Sequence, residues 1–455
     1  MSTESVITFR RGPTVQQVLA QDTNPPPDCL RIESPPKSLG LEDVSIERYY
    51  AKDWHDREVE KVWRKTWQMA CRLEEIPNVG DHVVYEIVHD SLIVMRSSPT
   101  EIRAYVNSCL HRGTQLCTDR GNVRHIKCPV HGITWGIDGK LAGLPCAWDF
   151  PQVDREKWNL PEAQVGTWGG FVFINMDPDC EPLSSYLEIL PDHFKAFGLE
   201  DRWKAVHGEK IMPCNWKLAQ EAFMEGFHIA ATHPQSVGYT GDTNTQYDVF
   251  DEGRHVSRFI MLEGVPSPLL GDVPQQKIVD DMQRDIGFYA NRTITVGEGE
   301  TARAKLAEHA RSRFSEATGR DFSKLSDSES VDLIQYLLFP NLSPWAGQAT
   351  PLVYRFRPHG DNPEESIMEI MLLFSKAPDG SHPPPVKPTR IGIEDSWHLV
   401  PGIGSAADVT DQDTDNLKRI QRGVRAAKKP GVTFSQYQES RIRHFHRTLD
   451  AYMAK

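Results

Sequence analysis

The chain has 455 residues, with 63 acidic and 51 basic side chains and a formal net charge of −12 at pH 7. A chain of this length can hold two or three domains. Its acidic balance argues against nucleic acid or an anionic membrane as a partner. Eight cysteines are too few for a disulfide scaffold in so long a chain. Because the first residues lack the apolar run of a signal peptide, and no stretch reaches the ~20 apolar residues of a membrane span, we expect a cytoplasmic protein.

The first third of the chain predicts an arm, a helix and a small β domain. Residues 1–40 contain two proline runs and predict an extended N-terminal arm that drapes on a neighbouring subunit. A helix is expected over Asp53–Gln68. Alternating β-branched residues predict strands over His82–Arg96 and Ile102–Val106. The segment Gly169–Asn175 then closes the β domain.

Two short segments of this β domain carry paired metal ligands. Cys109 and His111 form a Cys-x-His pair, and Cys128 and His131 form a Cys-x-x-His pair further on. Two thiolates and two imidazoles can hold a [2Fe–2S] cluster with sulfur on one iron and nitrogen on the other, which raises its reduction potential. A structural zinc site is the alternative. Common zinc patterns separate a Cys pair from a His pair, however, whereas each pair here mixes the two.

A second set of ligands follows about a hundred residues later. The segment from Asn215 to His228 is rich in helix-favouring residues, and Glu225 and His228 would share one face of that helix. His228 and His233 are five residues apart, which is about 140° around an undistorted helix and too divergent for one metal ion. The helix is therefore predicted to loosen or end between Ala230 and His233, just before a proline.

Two histidines and one carboxylate form the facial triad of non-haem Fe(II) oxygenases, which leaves positions open for O₂ and substrate. The carboxylate must come from elsewhere, and Asp413 is the best candidate. Spacing alone does not separate it from Asp411 or Asp415. All three also fit a solvated acidic first turn of a helix, where capping and the helix dipole favour Asp.

The remaining segments predict the surroundings of this site. A charge-laced helical region over 275–316 is expected to cover the active site, although a plain solvated helix fits the same pattern. Strands are expected over Tyr336–Leu342, Leu352–Arg357 and Ile367–Ser375, and terminal helices over Arg419–Ala427 and Phe434–Tyr452. Candidate pocket residues are Phe223, Met224, Phe227, Leu338 and Phe339.

From about Tyr50 to Gln421, these motifs together resemble the catalytic α subunit of Rieske non-haem iron ring-hydroxylating oxygenases. The resemblance implies an α+β fold with a small all-β Rieske domain and a larger catalytic domain. The catalytic domain would have a central antiparallel sheet flanked by helices, of the helix-grip type. The implied division is an arm at 1–40, a helical part of the catalytic domain at 41–65, the Rieske domain at 66–180 and the catalytic domain at 181–455.

The resemblance also implies roles for individual residues. Asp413 is preferred as the third iron ligand because Asn416 and Gln421 then fall at the family's offsets. Glu225 matches the acidic bridge between the Rieske histidine of one subunit and the iron ligand of the next, although ring dioxygenases more often have Asp there. Asn215 matches a residue near the iron. The implied ligands are Cys109, His111, Cys128 and His131 for the [2Fe–2S] cluster, and His228, His233 and Asp413 for a mononuclear Fe(II).

The activity that this resemblance implies is that of a terminal oxygenase. Electrons from a reductase, and in some systems a ferredoxin, would pass between subunits of a homotrimer. The substrate would be apolar, aromatic or polycyclic, and mono- or dihydroxylated with O₂; a β subunit is compatible with the sequence. Oxidative O- or N-demethylation by the same iron chemistry is the alternative. A non-catalytic electron carrier is disfavoured, because a carrier would not need a second metal site.

Overall fold

The computed structural model describes residues 12–35, 37–251, 254–290 and 292–455. By their internal contacts these residues form two compact units. The larger contains the described residues up to Trp54, Leu187–Arg357 and Asn362–Lys455, and the smaller contains His55–Tyr186 and Pro358–Asp361. Residues 55–65, which the sequence assigned to the catalytic domain, therefore belong to the smaller unit.

The helices and strands follow in chain order. The helices are α1 Val15–Leu19, α2 Lys52–Glu58, α3 Leu183–Tyr186, α4 Leu190–Phe194, α5 Trp216–Glu221, α6 Ile229–Thr232, α7 Gln275–Asp285, α8 Ala302–Thr318, α9 Asp327–Val331, α10 Ala406–Ala426 and α11 Ser440–Met453. The strands are β1 Val44–Ser45, β2 Gln68–Arg72, β3 Asp81–Ile87, β4 Asp90–Ser98, β5 Glu101–Val106, β6 Gly121–Asn122, β7 His125–Lys127, β8 Thr134–Gly136, β9 Leu141–Gly143, β10 Glu162–Trp168, β11 Phe171–Asn175, β12 Arg202–Met212, β13 Gln246–Val249, β14 Val256–Met261, β15 Leu333–Leu338, β16 Leu342–Ala346, β17 Leu352–His359, β18 Asn362–Ser375, β19 Thr389–Ile391 and β20 Gly431–Val432.

The smaller unit is built mainly of β-structure. Its seven-stranded sheet has the order β2-β11-β10-β5-β4-β3-β6, and a separate three-stranded sheet has the order β7-β8-β9. The single strand predicted over His82–Arg96 is a hairpin, because the chain turns at Val88, whose φ is positive. A core that includes Ile126, Ile133 and Trp135 encloses the two cysteines of the metal-ligand segments.

The larger unit is organised around an eight-stranded sheet with the order β13-β14-β15-β16-β17-β18-β12-β19. Its strand pairs are antiparallel except for β12 with β19, and the longest ladder pairs β12 with β18 from Arg202↔Ser375 to Met212↔Ser366. Helix α5 packs against β18, and α10 packs against α5 and β12. The predicted α+β fold with a central antiparallel sheet and flanking helices is confirmed.

The ligand segment is less helical than its composition suggested. Helix α5 ends at Glu221, and the chain then passes so close to β14 that a Cβ on Gly226 would lie 2.7 Å from the Met261 sulfur. Glycine suits this close approach, because a larger residue would require the Met261 side chain to move. The prediction that the helix ends before His233 is confirmed, because α6 stops at Thr232 and His233 has φ −122° and ψ 58°.

The N-terminal arm differs from its prediction over the residues that the structure describes, while residues 1–11 lie outside them. It is not simply extended, because Thr14 and Gln17 form a capping box that starts α1. It is also bound to the larger unit of its own chain, where Asp22 pairs with Arg303 and the Ser34 amide donates to Asp248.

Several other helix boundaries differ from the predicted ones. The helix expected over Asp53–Gln68 ends at Trp63, its last turn being a π-helix, and β2 begins at Gln68. The region 275–316 contains two helices, α7 and α8, and α10 starts well before Arg419. In the described part of the chain, none of the helices combines the length and apolar character needed to cross a membrane.

Candidate metal centres and substrate cavity

The structure brings His228, His233 and Asp413 together at one wall of a cavity in the larger unit. Asp413 Oδ1 lies 3.0 Å from His233 Nε2 and 3.7 Å from His228 Nε2. The ligand atoms of the three side chains all lie within 4.8 Å of one another. Neighbouring ligands of an octahedral ion with ~2.1 Å bonds are about 3 Å apart, so this group is preformed for a single cation.

Hydrogen bonds fix which nitrogen of each imidazole faces this point. His228 Nδ1 lies 2.7 Å from Glu225 Oε1, and His233 Nδ1 lies 2.7 Å from Gln412 Oε1. Gln235 Nε2 donates to the same Gln412 oxygen, which sets the orientation of that amide. Both Nδ1 atoms therefore act as donors, and both Nε2 lone pairs are directed at the Asp413 carboxylate. Three electron-pair donors that converge in this way fit a metal cation.

Of the three candidate aspartates, only Asp413 reaches the histidines. Asp411 accepts hydrogen bonds from Ser396 and the Trp397 amide, and Asp415 is exposed. Asp413 itself is 4 % exposed and lies inside α10, not in an acidic first turn.

The polar residues at the family's offsets attach α10 to its neighbours. The Asn416 side chain donates to the Thr232 hydroxyl at the end of α6. The side-chain carbonyl of Gln421 accepts from the backbone amide of Asn215 at the start of α5. Asn215, predicted to be a catalytic residue near the iron, does not line the cavity. Its side chain accepts from the Lys217 amide as a helix cap and donates to the Pro363 carbonyl. Asn215 is therefore a positioning residue in this structure.

In the smaller unit, the two predicted cluster segments have the same backbone design. The Gly113 amide donates to the Cys109 carbonyl, and the Gly132 amide donates to the Cys128 carbonyl, each glycine having φ above +70°. The thiols of Cys109 and Cys128 are buried and lie within hydrogen-bonding distance of each other. Burial acts to raise the pKa of Cys128, but the amides of Val130 and His131 outweigh it, and the net pKa lies below the usual thiol value.

The four side chains fit a dinuclear cluster better than one zinc ion. The rings of His111 and His131 are 4.8 Å apart between centroids, and buried His111 Nδ1 has no hydrogen-bond partner among the described residues. Ligands of one tetrahedral zinc would all lie within about 3.8 Å of each other. Among the described residues, Cys109, His111, Cys128 and His131 are not a group whose ligand atoms all lie within 4.8 Å of one another. Cys109 and Cys128 are buried whereas His131 is exposed, so the nitrogen side of the cluster would face solvent.

A second group with metal-ligand geometry lies in the smaller unit and consists of His55, Asp56 and Asp361. Asp361 Oδ1 also lies 3.3 Å from His89 Nε2 and 3.7 Å from His55 Nε2. Asp56 and Asp361 are exposed and His55 is buried, so we interpret these contacts as ion pairs and assign the cluster no catalytic role.

The cavity beside the His228–His233–Asp413 group has a volume of about 820 Å³ and mostly apolar walls. Phe223 makes an edge-to-face contact with Tyr354, and Phe259 makes one with Trp345 along the sheet. Phe288 and Tyr289 approach from the segment after α7. Of the pocket candidates drawn from the sequence, only Phe223 lines the cavity. The structure places Phe227 half-exposed and buries Met224, Leu338 and Phe339 elsewhere.

Several lining residues had no signal in the sequence. They come from the turn that follows His233, from the loop after β14 and from the start of α10, which are far apart in the chain. The most polar of them are Gln235, Ser236, Thr240, Glu263 and Asp408. Arg284 and Asp285 also line the cavity, but they lie at the end of α7, within the region that was predicted to cover the active site. For Gln412, which holds His233, its position next to Asp413 was the only available signal.

Two family models match the chain and divide it as the ligand sets do. The model for the Rieske [2Fe-2S] domain matches residues 66–154, and the model for the ring hydroxylating alpha subunit (catalytic domain) matches residues 199–455. The chain belongs to the ring-hydroxylating oxygenase α-subunit family. Membership implies both a Rieske cluster and a mononuclear iron, and the residues that would hold these groups fit them in the structure.

Relatives of the family differ in their substrates. The chain is 32% identical over 192 residues to the chlorobenzene dioxygenase subunit alpha of Cupriavidus sp. (strain PS12), which is 40% of this chain and 42% of that relative. It is 30% identical over 181 residues to the glycine betaine monooxygenase oxygenase subunit of Pseudomonas aeruginosa. This match covers 39% of this chain and 42% of that relative. The chain thus spans about two fifths of the length of the curated relatives it matches.

Solved structures share the fold over most of the chain. The quaternary ammonium Rieske monooxygenase CntA, in complex with an inhibitor, superposes with a TM-score of 0.64 at 16% identity, covering 91% of this chain and 96% of that one. Naphthalene 1,2-dioxygenase from Rhodococcus sp. superposes with a TM-score of 0.59 at 21% identity, covering 90% and 94%. At these identities the likeness shows the fold alone.

Proposed function

We propose that this protein is the terminal component of a Rieske oxygenase system and inserts oxygen from O₂ into a largely apolar small molecule. The observation that carries the proposal is that His228, His233 and Asp413 converge at the wall of an aromatic-lined cavity of about 820 Å³. A cavity of this size holds a drug-sized ligand. An electron carrier would need neither this group nor the cavity.

Each metal-site residue has a distinct part in this proposal. When bound, the cluster supplies single electrons and the mononuclear Fe(II) supplies O₂ activation at its open positions. Glu225 and Gln412 hold the two imidazoles so that their Nε2 atoms face the metal position. The aromatic walls exclude water and orient the substrate, which strengthens electrostatic interactions inside the cavity.

Glu225 is our candidate for the link to the electron source. Its carboxylate accepts from both Nδ1 and the backbone amide of His228, yet each oxygen keeps a lone pair for a second donor. We propose that this second donor is His131 of a neighbouring subunit in a homotrimer, because His131 is exposed on its own unit. One of the CntA structures is described as revealing inter-subunit electron transfer in that protein, which supports the same route here.

Iron content and oxygen uptake test the proposal directly. Fully loaded protein should contain about three irons per chain, and His228→Ala should contain about two while keeping the visible spectrum of the cluster. Oxygen uptake, driven by a chemical or protein reductant and a panel of aromatic, steroid and methylammonium compounds, should occur with the wild type only. Two irons per chain in fully loaded wild-type protein, or substrate oxidation that persists in His228→Ala, would refute the proposal.

Mixed oligomers test the route of the electron. Cys109→Ser removes the cluster and His228→Ala removes the second iron site, so each variant alone should be inactive. In a head-to-tail trimer that contains both variants, one of the three interfaces joins an intact cluster to an intact iron site. Purified mixed trimers should therefore show about one third of the wild-type rate. Mixed trimers without activity would show that electrons do not cross between subunits.

A further inference from the structure

One wall of the cavity carries a buried carboxyl group that the oxygenase chemistry does not use. Glu263 follows β14, lines the cavity and is only 4 % exposed. The Thr240 hydroxyl donates to it, at 3.0 Å from Oε1 and 3.2 Å from Oε2. No other residue that the structure describes donates a hydrogen bond to this carboxyl group. A buried carboxyl with a single donor in an apolar cavity is costly, and this cost calls for a functional explanation.

The charges behind Glu263 do not balance it. Arg303 is the nearest guanidinium, but its side-chain donors are directed at Asp332 and Asp22, and it reaches only the backbone carbonyl of Glu263. Three carboxyl groups therefore share one cation. The other arginine of the cavity, Arg284, is held by Asp281 and Asp285 and is largely exposed. Among the described residues, neither Arg303 nor Arg284 is therefore directed at the Glu263 carboxyl group to stabilise its charged form.

Aromatic rings complete the surroundings. Burial raises the pKa of Tyr239 and Tyr289, and the nearby Glu263 carboxylate raises the pKa of both further, which places both rings within electrostatic reach of it. Burial likewise raises the pKa of Glu263 well above the usual value, and the Asp332 carboxylate adds to this. Tyr239 and Tyr289 line the same cavity as Glu263, and a carboxylate and aromatic rings in one cavity are a combination that binds a positively charged nitrogen.

We propose that Glu263 is a specificity-determining residue that recognises a cationic nitrogen, an ammonium or quaternary ammonium group, on the substrate. This inference rests on the proposed function, because it treats the cavity as the substrate site. The cation would supply a positive charge beside Glu263, and the apolar body of the substrate would fill the remainder of the cavity toward the metal group.

Binding of three matched probes to the holoprotein, measured by calorimetry without reductant at neutral pH, tests the proposal. The probes are phenylbutylammonium, phenylbutyltrimethylammonium and the neutral phenylbutanol. Wild-type protein should bind both cations roughly tenfold more tightly than the alcohol. Equal affinity for all three would overturn the proposal. Tight binding of the alcohol and the primary ammonium, with weak binding of the quaternary ammonium, would also overturn it, since Glu263 would then recognise a hydrogen-bond donor and not a charge.

Two variants test whether the preference for cations is due to Glu263. Glu263→Gln keeps the size of the side chain and an acceptor for Thr240, and it should reduce the cation preference to about onefold. Glu308→Gln makes the same change on the exposed face of α8, where Glu308 pairs with Lys305, and should leave the preference unchanged. A preference that survives in Glu263→Gln would refute the assignment. If that variant does not fold, the wild-type comparison of the three probes still decides.

The readouts separate this inference from the proposed function. Loss of the cation preference in Glu263→Gln, in a protein that never consumes O₂, would uphold the subsite and refute the oxygenase. Oxygen uptake that is equally fast with the cations and the alcohol, and unchanged in Glu263→Gln, would uphold the oxygenase and refute the subsite.

Discussion

Replacing Gln412 by leucine should weaken iron binding without touching a ligand. The Gln412 carbonyl oxygen accepts hydrogen bonds from His233 Nδ1 at 2.7 Å and from Gln235 Nε2 at 2.9 Å. Leucine removes both, so His233 can rotate or move its proton to Nε2, which then no longer binds a metal. Outer hydrogen bonds of this kind are worth 10- to 100-fold in metal affinity, or about 1.4–2.7 kcal/mol. Two neutral hydrogen bonds at about 1 kcal/mol each give the same range.

The assay is a titration of Fe(II) into protein whose mononuclear site has been emptied, in competition with a chelator. The visible absorbance of the cluster serves as an internal control and should not change. Gln412→Glu is the matched variant, because it keeps an acceptor oxygen in the same place and should bind iron at least as well as wild type. Wild-type affinity in Gln412→Leu, or equal losses in both variants, would refute the argument that the acceptor on Nδ1 sets the metal affinity.

Three further predictions concern stability. Burial raises the pKa of Glu221 to about 8, so its contribution to the free energy of unfolding is complete below the ordinary carboxyl pKa of 4.5 and is lost as the pH rises through about 8. In urea unfolding measured across this pH range, Glu221→Gln should reduce the fall in the free energy of unfolding with rising pH. An unchanged dependence on pH in that variant would contradict the prediction. Gly132→Ala should cost roughly 1–2 kcal/mol because φ is +72°, and cluster absorbance should be lost at lower temperature. Gly271→Ala, which has open space and ordinary φ, should not have this effect. Asn215→Ala should lower the unfolding free energy by about 1 kcal/mol through the lost helix cap, whereas Asn215→Ser should recover most of it; a large loss of activity in a stable Asn215→Ser would contradict the positioning role.

The proposed metal ligands could be selected from the sequence because metal coordination restricts local spacing. The Cys-x-His and Cys-x-x-His pairs bring their own ligands together within one turn each, and His228 and His233 needed only the break in helix that Pro234 signals. The choice of Asp413 illustrates the limit. Asp411 and Asp415 are each two residues from Asp413, or about 200° around a helix, so either the side of the helix that carries Asp413 or the side that carries both Asp411 and Asp415 can face the histidines. Which one it is depends on how α10 packs, and no local pattern records that.

Most of the errors have a physical origin in contacts between distant segments. Residues 222–228 favour a helix by composition, but α5 ends at Glu221 and the chain then passes close to Met261 of β14. The arm was predicted to be extended from its prolines, although its capping box was visible in the sequence as Thr14 and Gln17. The ion pair that attaches the arm through Asp22 could not be predicted from the sequence, because its partner Arg303 lies far along the chain. Glu263 was missed for the same reason.

The two iron-ligand histidines are held by acceptors of different charge, and this difference has consequences. The carboxylate of Glu225 holds His228, whereas the neutral amide of Gln412 holds His233. A carboxylate increases the basicity of an imidazole more than an amide does, so His228 should be the stronger electron donor of the pair. His228 is also more exposed than His233, with a quarter of its side chain accessible against 4 %. The chain therefore places its charged acceptor on the more exposed histidine and its neutral acceptor on the enclosed one, an order that is compatible with the proposed electron delivery through Glu225.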